Sequence, residues 1–376
     1  MKKDSLCIHG YNYTEPTGAL SIPIYQSATF KHPSLGQSTG YDYSRMQNPT
    51  RQALEETISS LENACGAIAY SSGMAAVSNI LELFKPGAHL IASTDLYGGI
   101  IRYFRTISEK NGLLFDFVDT GNVESVLPLI KSNTVALFIE TPTNPMMNVS
   151  DISSLAAIAK QHNLLLIVDN TFLSPYFQQP LDLGADIVIH SGTKYLAGHN
   201  DTLAGFIASK NTAILEKLRF IYKTVGGCLS PFDSWLVLRG IKTLALRMIR
   251  LDSSAKQIAE FLSTHRRVKK LYYPGLPSHP GYEIMKKQAS GFGGMISFEV
   301  DSFSTVKRVL AGVKIISFAE SLGGVESLIT YPSVQTHGDV TLEERESRGI
   351  NDRLLRLSVG IEDVFDLIND LTLALD

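Results

Sequence analysis

The chain has 376 residues, of which 44% are hydrophobic and 19% are charged. These proportions are ordinary for a globular protein and exclude a disordered or fibrous one. Its length predicts one large domain and a smaller one, and a formal net charge of -3 argues against a basic surface for nucleic acid or an anionic membrane.

The cysteines and the apolar runs bear on where the protein works. Cys7, Cys65 and Cys228 are odd in number and far apart, without a CxxC pair, so neither a disulfide framework nor a thiolate metal site is predicted. The first ten residues lack the apolar segment of a secretion signal, and no apolar run reaches the roughly 18 residues of a membrane-spanning helix. We therefore expect a cytoplasmic protein that does not bind a membrane.

The first elements along the chain are an arm and two helices. Residues 1–48 are rich in Tyr, Pro, Gly and Thr without helical periodicity, which predicts an extended arm that contacts a neighbouring subunit. Apolar residues then recur at helical spacing, and Lys85-Pro86-Gly87 would end the second helix. The predicted inward faces are Ala53, Leu54, Thr57, Ile58 and Leu61, followed by Met74, Val77, Leu81 and Phe84.

Strands are predicted where short apolar runs alternate with helix-sized segments. The runs are 67–70, 89–93, 135–140, 164–170 and 186–190. This alternation favours a parallel sheet covered on both faces. A long, nearly continuous helix from about residue 231 would then bridge to a smaller α+β unit, predicted from the segments 293–300, 302–313, 354–360 and 364–375.

The domain boundaries that follow from this pattern are an arm over 1–48, a large domain over 49–240 and a small domain over 241–376.

Polar and small residues follow the predicted strands, where ligands bind in open α/β sheets. After the first strand, Ser71, Ser72, Gly73 and Met74 open a helix whose backbone amides suit a phosphate. The other strand ends supply Tyr97, then Glu140, Thr141 and Asn144, then Asp169, then His190, Ser191, Thr193 and Lys194.

Each of these residues has an ordinary interpretation when it is taken alone. Serine before a helix is commonly a cap, and a single lysine is commonly solvated. Together they match pyridoxal 5'-phosphate, whose aldehyde needs a lysine, whose ring nitrogen needs a carboxylate and whose phosphate needs amides and hydroxyls. Other ligands fit less well, because GxxxxGK[ST] and HExxH are absent and the isolated "HND" at 199–201 does not make a metal site.

Eight motifs occur together and in order along the chain. They are YDYSRMQNPTR (41–51), SSGMAA (71–76), DLYGG (95–99), ETPTNP (140–145), VDNTF (168–172), HSGTKYLAGHND (190–201), ESLGGVES (320–327) and RLSVGIE (356–362). This set resembles the trans-sulfuration (Cys/Met metabolism) family of pyridoxal-phosphate enzymes over essentially the whole chain. The resemblance implies fold type I, the aspartate aminotransferase-like α/β fold, with a large mostly parallel-sheet domain and a smaller C-terminal α+β domain.

The resemblance also implies roles for individual residues. Lys194 would form the Schiff base and shuttle protons, Asp169 would pair with the ring nitrogen, and Tyr97 would stack on the ring and assist proton transfer. Asn144 would lie near the 3-hydroxyl. The phosphate would be held by Gly73, Met74, Ser191 and Thr193, with Tyr43 and Arg45 supplied by a neighbouring subunit of a dimer of dimers.

The substrate implied is a small amino acid, with its carboxylate bound by Ser321, Thr336 and Arg356. The residue pattern itself supports this role for Arg356. A period of two places Leu355, Leu357 and Val359 on one strand face and Arg356 on the other. An arginine held there can grip a carboxylate with two hydrogen bonds. Without the motif, an exposed salt bridge is an equal alternative.

The particular reaction is harder to predict. Glu320 resembles the γ-type members, cystathionine γ-lyase and γ-synthase, in which this position faces the distal amino group of cystathionine or the incoming cysteine. The alternatives are a cystathionine β-lyase, a methionine γ-lyase, an O-acetylhomoserine sulfhydrylase and a non-enzymatic cofactor-binding regulator. Gly99 disfavours the methionine γ-lyases, which carry cysteine there. Met46-Gln47, Ser333 and Gln335 depart from the family pattern near the expected substrate channel.

Overall fold

A computed structural model of the protein describes residues 1–12, 17–335 and 342–376. Its strands are β1 (Gly66–Tyr70), β2 (His89–Ser93), β3 (Leu114–Val118), β4 (Thr134–Glu140), β5 (Leu165–Asp169), β6 (Ile187–Ser191), β7 (Gly205–Ser209), β8 (Val268–Tyr272), β9 (Met295–Val300), β10 (Ser317–Phe318), β11 (Leu328–Thr330) and β12 (Leu354–Ser358).

Helices connect and cover these strands. They are α1 (Lys3–His9), α2 (Pro49–Leu61), α3 (Gly73–Leu81), α4 (Gly98–Tyr103), α5 (Ile152–Gln161), α6 (Ser174–Phe177), α7 (Thr212–Val225), α8 (Pro231–Ile241), α9 (Leu244–Thr264), α10 (Tyr282–Gln288), α11 (Phe303–Gly312), α12 (Leu342–Ser347) and α13 (Val364–Leu375), with a π-helical turn at Phe104–Ser108 and a 3₁₀ helix at Val123–Leu129. Among the helices described, none is long and apolar enough to cross a bilayer.

The first sheet has the strand order β1-β7-β6-β5-β4-β2-β3. Strand β7 runs antiparallel to both of its neighbours, β1 and β6, whereas the pairs from β6 to β3 are parallel. The carboxyl ends of β1, β2, β4, β5 and β6 therefore share one edge. The mostly parallel sheet predicted from the sequence is confirmed.

Alternating residues of these strands enter two separate cores. Ala69 and Ile139 join the core beneath α2 and α5, whereas Ile68 and Phe138 join the core beneath α3 and α7. Side chains of a strand alternate between its faces, so continuous apolar runs belong to strands that are covered on both sides. The predicted inward face of α2, from Ala53 to Leu61, is fully buried.

The second sheet has the order β10-β11-β12-β9-β8 and packs against α9, α11 and α13 around a third core. Helix α9 joins the two halves, because its Leu251 lies in the first core and its Ile258 in the third. The long helix predicted from residue 231 is interrupted at Lys242 and Thr243, between α8 and α9. The domain boundaries themselves stay a prediction.

The structure corrects three predictions of secondary structure. The arm over 1–48 begins with helix α1, which is too short to show periodicity but buries Cys7. Strand β7 was not predicted, because no helix separates it from the motif after β6. Helix α3 ends at Leu81, not at Lys85, because the amides of Leu83 and Phe84 bond to carbonyls only three residues back.

Arg247 on α9 ties the segment after Lys194 to the rest of the fold. Its side chain is buried and donates to the carbonyls of Tyr195 at 2.6 Å and of Gly240 at 2.7 Å. A side chain at Gly198, whose φ is +72°, would collide with this guanidinium. The arginine thus fixes the backbone that carries Lys194.

Replacing Arg247 by Met should lower the free energy of unfolding by about 3 kcal/mol, because two buried carbonyls lose their donor. Urea unfolding at fixed protein concentration measures this change. Arg250→Met is the matched control, since Arg250 is exposed and makes one bond of 3.1 Å to the Glu362 carbonyl, and it should change stability by less than about 1 kcal/mol. Equal effects of the two variants would contradict the assigned role.

Candidate active site

The shared strand edge opens into a cavity of about 520 Å³. Residues from both sheets line it, so it lies where the two halves of the chain meet. The predicted site residues in its wall are Gly73, Met74, Tyr97, Asn144, Asp169, Ser191, Thr193, Lys194, Glu320, Ser321 and Arg356.

Lys194 projects into this cavity from the loop after β6. Its Nζ donates a hydrogen bond of 2.8 Å to Ser321 Oγ. Burial, assisted by the positive charge of Arg356, lowers the pKa of Lys194 to about 8, and Glu320 opposes the shift. Roughly a tenth of the amine is therefore uncharged at pH 7, far more than for an ordinary lysine, and the uncharged form is the one that a nucleophile or base requires.

Ser321 connects Lys194 to Arg356. Its hydroxyl accepts from the lysine, and its carbonyl accepts from Arg356 Nη2 at 2.9 Å. Its backbone has φ of +89°, in the left-handed region that costs a residue other than glycine roughly 1–3 kcal/mol. The surrounding packing holds Ser321 in this conformation, which directs both of its oxygens at the two cations.

Arg356 lies on the face of β12 that is turned towards the cavity, opposite to Leu355 and Leu357, and is only 2% exposed. Its Nη1 donates to Asn144 Oδ1 at 2.7 Å, and its Nε has no hydrogen-bond partner in the described chain. Burial lowers the pKa of Arg356 to about 10. The acceptors bonded to its guanidinium are neutral, and its burial makes an exposed salt bridge the wrong alternative.

Asp169 ends β5 and is oriented by Thr171. Its Oδ1 accepts from the Thr171 amide at 3.0 Å and from the Thr171 hydroxyl at 2.6 Å. Burial raises the pKa of Asp169, and these two bonds oppose the shift. The Thr171 hydroxyl also accepts from the Ser191 amide at 2.9 Å. Sequence reasoning missed Thr171, although a threonine two residues after an aspartate is a signal for such a turn.

Tyr97 lies at the start of α4, and its position is set by two neighbours. Its backbone amide donates to Glu140 Oε2 at 2.9 Å. A Cβ at Gly99 would lie 2.5 Å from Cε1 of the Tyr97 ring, so a side chain here would require the ring to shift. Glu140 was recognised as following a strand, but sequence reasoning gave it no role.

The residues predicted to bind phosphate surround the start of α3. Ser72 caps this helix by accepting from the Ala75 amide. A Cβ at Gly73 would lie 3.1 Å from Ser191 Cβ, so the helix start and the end of β6 approach closely. Thr193 Oγ1 accepts from the Ala204 amide at 3.1 Å. The first amides of a helix have no acceptor inside it and favour an anion.

Several predicted residues lie elsewhere. Tyr43 and Arg45 are exposed, stack on each other at 5.4 Å, and do not line the cavity of their own chain. His190 is buried and contacts Glu62 at 2.5 Å, also away from the cavity lining. Thr336 lies outside the described residues.

The residues that depart from the family pattern lie in different parts of the structure. Gln335 lines the cavity, whereas Met46 and Gln47 line a different groove. Ser333 Oγ donates to the Asn351 carbonyl at 2.8 Å. Within the part of the chain that is described, no group of His, Cys, Asp or Glu residues has the arrangement of a metal site.

A fold and a site of this kind define the class of pyridoxal-phosphate enzymes. A family model described as Cys/Met metabolism PLP-dependent enzyme matches residues 4–376. The chain belongs to this family, and it is a pyridoxal-phosphate enzyme with a small amino-acid substrate.

Similar proteins cover the chain almost completely. It is 50% identical over 377 residues to cystathionine gamma-lyase of Bacillus subtilis (strain 168), with 100% of both chains covered. It is also 50% identical over 370 residues to cystathionine beta-lyase of Lactococcus lactis subsp. cremoris (strain MG1363), covering 98% of this chain and 97% of the relative. A crystal structure of cystathionine gamma-lyase from Lactobacillus plantarum complexed with L-serine matches with a TM-score of 0.98 and 43% sequence identity. The match covers 100% of this chain and 98% of the chain in that structure.

The residues of the cavity fit the cofactor of this family. Asp169 is a buried carboxylate at the cavity wall whose bonded donors, those of Thr171, are neutral. Gly73 approaches Ser191 so closely that a side chain at the helix start would crowd it, and small residues at a helix start suit the binding of a phosphate. A partly uncharged lysine lies in the same cavity.

The titration of Lys194 in the cofactor-free protein should have its midpoint at about pH 8, below the ordinary value of 10.5. Arg356→Met should raise this pKa by removing a positive charge, and Glu320→Gln should lower it by removing a negative one. NMR of ¹³C-methylated lysines measures the midpoint, with Lys194→Arg identifying the signal. A midpoint near 10.5, or shifts of the opposite sign, would contradict the described electrostatics.

Proposed function

We propose that the protein is a trans-sulfuration enzyme that performs γ-elimination or γ-replacement on cystathionine or an O-acyl-homoserine. The observation that carries this proposal is that Glu320 lines the same cavity as Lys194 and Arg356. A carboxylate placed there offers a contact to the second ammonium group of a long diamino substrate.

The cofactor is proposed to be held by residues at the ends of four strands, β1, β2, β5 and β6. Asp169 binds its ring nitrogen, Tyr97 stacks on its ring, and Lys194 bonds its aldehyde. Its phosphate is bound by Gly73, Met74, Ser191 and Thr193, completed by Tyr43 and Arg45 of a neighbouring copy. When bound, the cofactor supplies an electron sink for negative charge that develops at the substrate's α-carbon.

Arg356 is proposed to bind the substrate's α-carboxylate. Its buried guanidinium, whose Nε has no hydrogen-bond partner in the described residues, offers the site that a planar carboxylate fills. Asn144 and the Ser321 carbonyl hold the guanidinium in place. Thr336 is expected to contribute from outside the described residues.

Lys194 is proposed to move the proton of the substrate's α-carbon. Its lowered pKa of about 8 leaves an uncharged amine available at neutral pH. The Ser321 hydroxyl, at 2.8 Å from Nζ, orients that amine. Ser321 also accepts a hydrogen bond from Arg356. It therefore fixes the position of the Lys194 amine relative to the guanidinium that binds the carboxylate.

Cystathionine β-cleavage is the second candidate. A relative named for β-cleavage and a relative named for γ-cleavage are both 50% identical to the chain. Glu320 favours the γ-reaction, because β-lyases of this family tend to have an apolar or aromatic residue at this position. Gly99 disfavours methionine γ-cleavage, since the Tyr97 ring occupies the space that a larger side chain needs.

The assembly is proposed to be a dimer of dimers in the cytoplasm. Tyr43 and Arg45 are exposed on the arm and away from their own cavity, as residues that complete a neighbour's site would be.

Incubation with L-cystathionine should yield 2-oxobutanoate and cysteine, because γ-elimination breaks the bond at the γ-carbon. Chromatography of the keto acids identifies the product, and Lys194→Ala should yield none. Pyruvate with homocysteine would overturn the γ-assignment in favour of β-cleavage. Cystathionine formed from cysteine and an O-acyl-homoserine would instead identify the replacement reaction.

Glu320→Ala should raise KM for cystathionine by about fivefold to tenfold while leaving kcat within about threefold, because one partly exposed charge contact is lost. Glu326→Ala is the matched control, since Glu326 lies in the same loop but contacts Asn200 at 2.7 Å outside this cavity. Initial-rate kinetics measure both variants. An unchanged KM for Glu320→Ala would remove the main support for γ-chemistry.

A further inference from the structure

We propose that Glu140 is a positioning residue that acts as a neutral carboxylic acid and holds the backbone of Tyr97, next to that of Asn144, against the cofactor. The inference rests on the proposed function in one respect, namely that Tyr97 and Asn144 face the cofactor. It adds a residue to which the sequence motifs gave no role.

Glu140 contacts two separate segments of the site. It ends β4, is 5% exposed, and accepts from the Tyr97 amide at 2.9 Å. The backbone amide of Asn144 also lies close enough to this carboxyl group to lower its pKa. One side chain therefore holds the backbone of the proposed stacking residue and adjoins that of the residue that contacts Arg356.

A second acid lies beside Glu140. Residues Glu140 and Asp169 are direct register partners of the parallel strands β4 and β5, and both line the same cavity. Two neighbouring buried carboxyl groups do not both ionise readily, because each negative charge disfavours the other. The surroundings decide which of them keeps its proton.

Both acids accept hydrogen bonds, and the charges around them favour ionisation of Asp169 over Glu140. Asp169 Oδ1 accepts two bonds from Thr171, and His190 on β6 also lowers the pKa of Asp169. Burial, together with the charges of Asp169 and of Asp95, raises the pKa of Glu140 well above its ordinary value.

Arg356 on β12 is the positive charge that faces Glu140. Its hydrogen bonds go to Asn144 and Ser321 instead. In the proposed complex its charge is compensated by the substrate's carboxylate. A neutral Glu140 then avoids a second negative charge next to that carboxylate and leaves the single negative charge of Asp169 for the ring nitrogen.

The test compares isosteric amides at the two neighbouring acids in the cofactor-loaded protein. Glu140→Gln replaces the neutral carboxyl group by a neutral amide that keeps one acceptor oxygen for the Tyr97 amide. It should leave the pH titration of the bound cofactor's visible absorbance unchanged, whereas Asp169→Asn should shift it. Difference infrared spectra between wild type and Glu140→Gln should show the band of a protonated carboxyl group near neutral pH.

Glu140→Leu tests the anchoring role, because leucine cannot accept from the Tyr97 amide. It should reduce the circular dichroism of the bound cofactor and weaken cofactor binding by roughly tenfold, both of which Glu140→Gln should preserve. Wild-type dichroism and affinity in Glu140→Leu would overturn the anchoring role. If Glu140→Leu does not fold, retention of dichroism and affinity by Glu140→Gln supports the role and their loss overturns it.

A titration shift in Glu140→Gln as large as that in Asp169→Asn, or an infrared band of an ionised carboxylate, would overturn the neutral state. These spectra do not depend on which substrate is cleaved. Failure of the γ-reaction and failure of this inference are therefore distinguishable.

Discussion

The common direction of β1, β2, β4, β5 and β6 is the constraint on which the site depends. Strands that run parallel end at one edge, so residues separated by more than a hundred positions in the chain reach one cavity. Burial on both faces of the sheet holds these ends rigidly, because apolar residues alternate into two cores. The second sheet then closes the cavity with Ser321 and Arg356.

Within that cavity, desolvation organises the charges. Two cations, Lys194 and Arg356, share Ser321, and burial lowers the pKa of both. Two acids, Glu140 and Asp169, share neighbouring strand ends, and burial raises the pKa of both. Each pair thus contains groups that disfavour one another's charge, and such pairs are where proteins place acid and base functions.

Much of the fold and of the site was predictable because it depends on local pattern. Continuous apolar runs indicated the covered strands, and the alternation around Arg356 indicated its inner face. Local pattern failed for α1, which is stabilised by tertiary packing, and for β7, whose reversed direction no run of residues encodes. It also failed for Thr171 and Glu140, because their hydrogen bonds become visible only when separate segments meet.

By itself the sequence determined the parallel-sheet class and the cofactor chemistry, because both rest on residue type and spacing at strand ends, and its motifs implied Glu320 and Ser321 by resemblance to a family. Only the tertiary structure decided how the residues of the cavity act on one another. It showed that Arg356 is buried and bonded to Asn144, that Ser321 joins it to Lys194, and that Glu140 lies beside Asp169. The physical reason is that burial and hydrogen-bond partners arise from contacts between distant segments, and these contacts set charge and protonation.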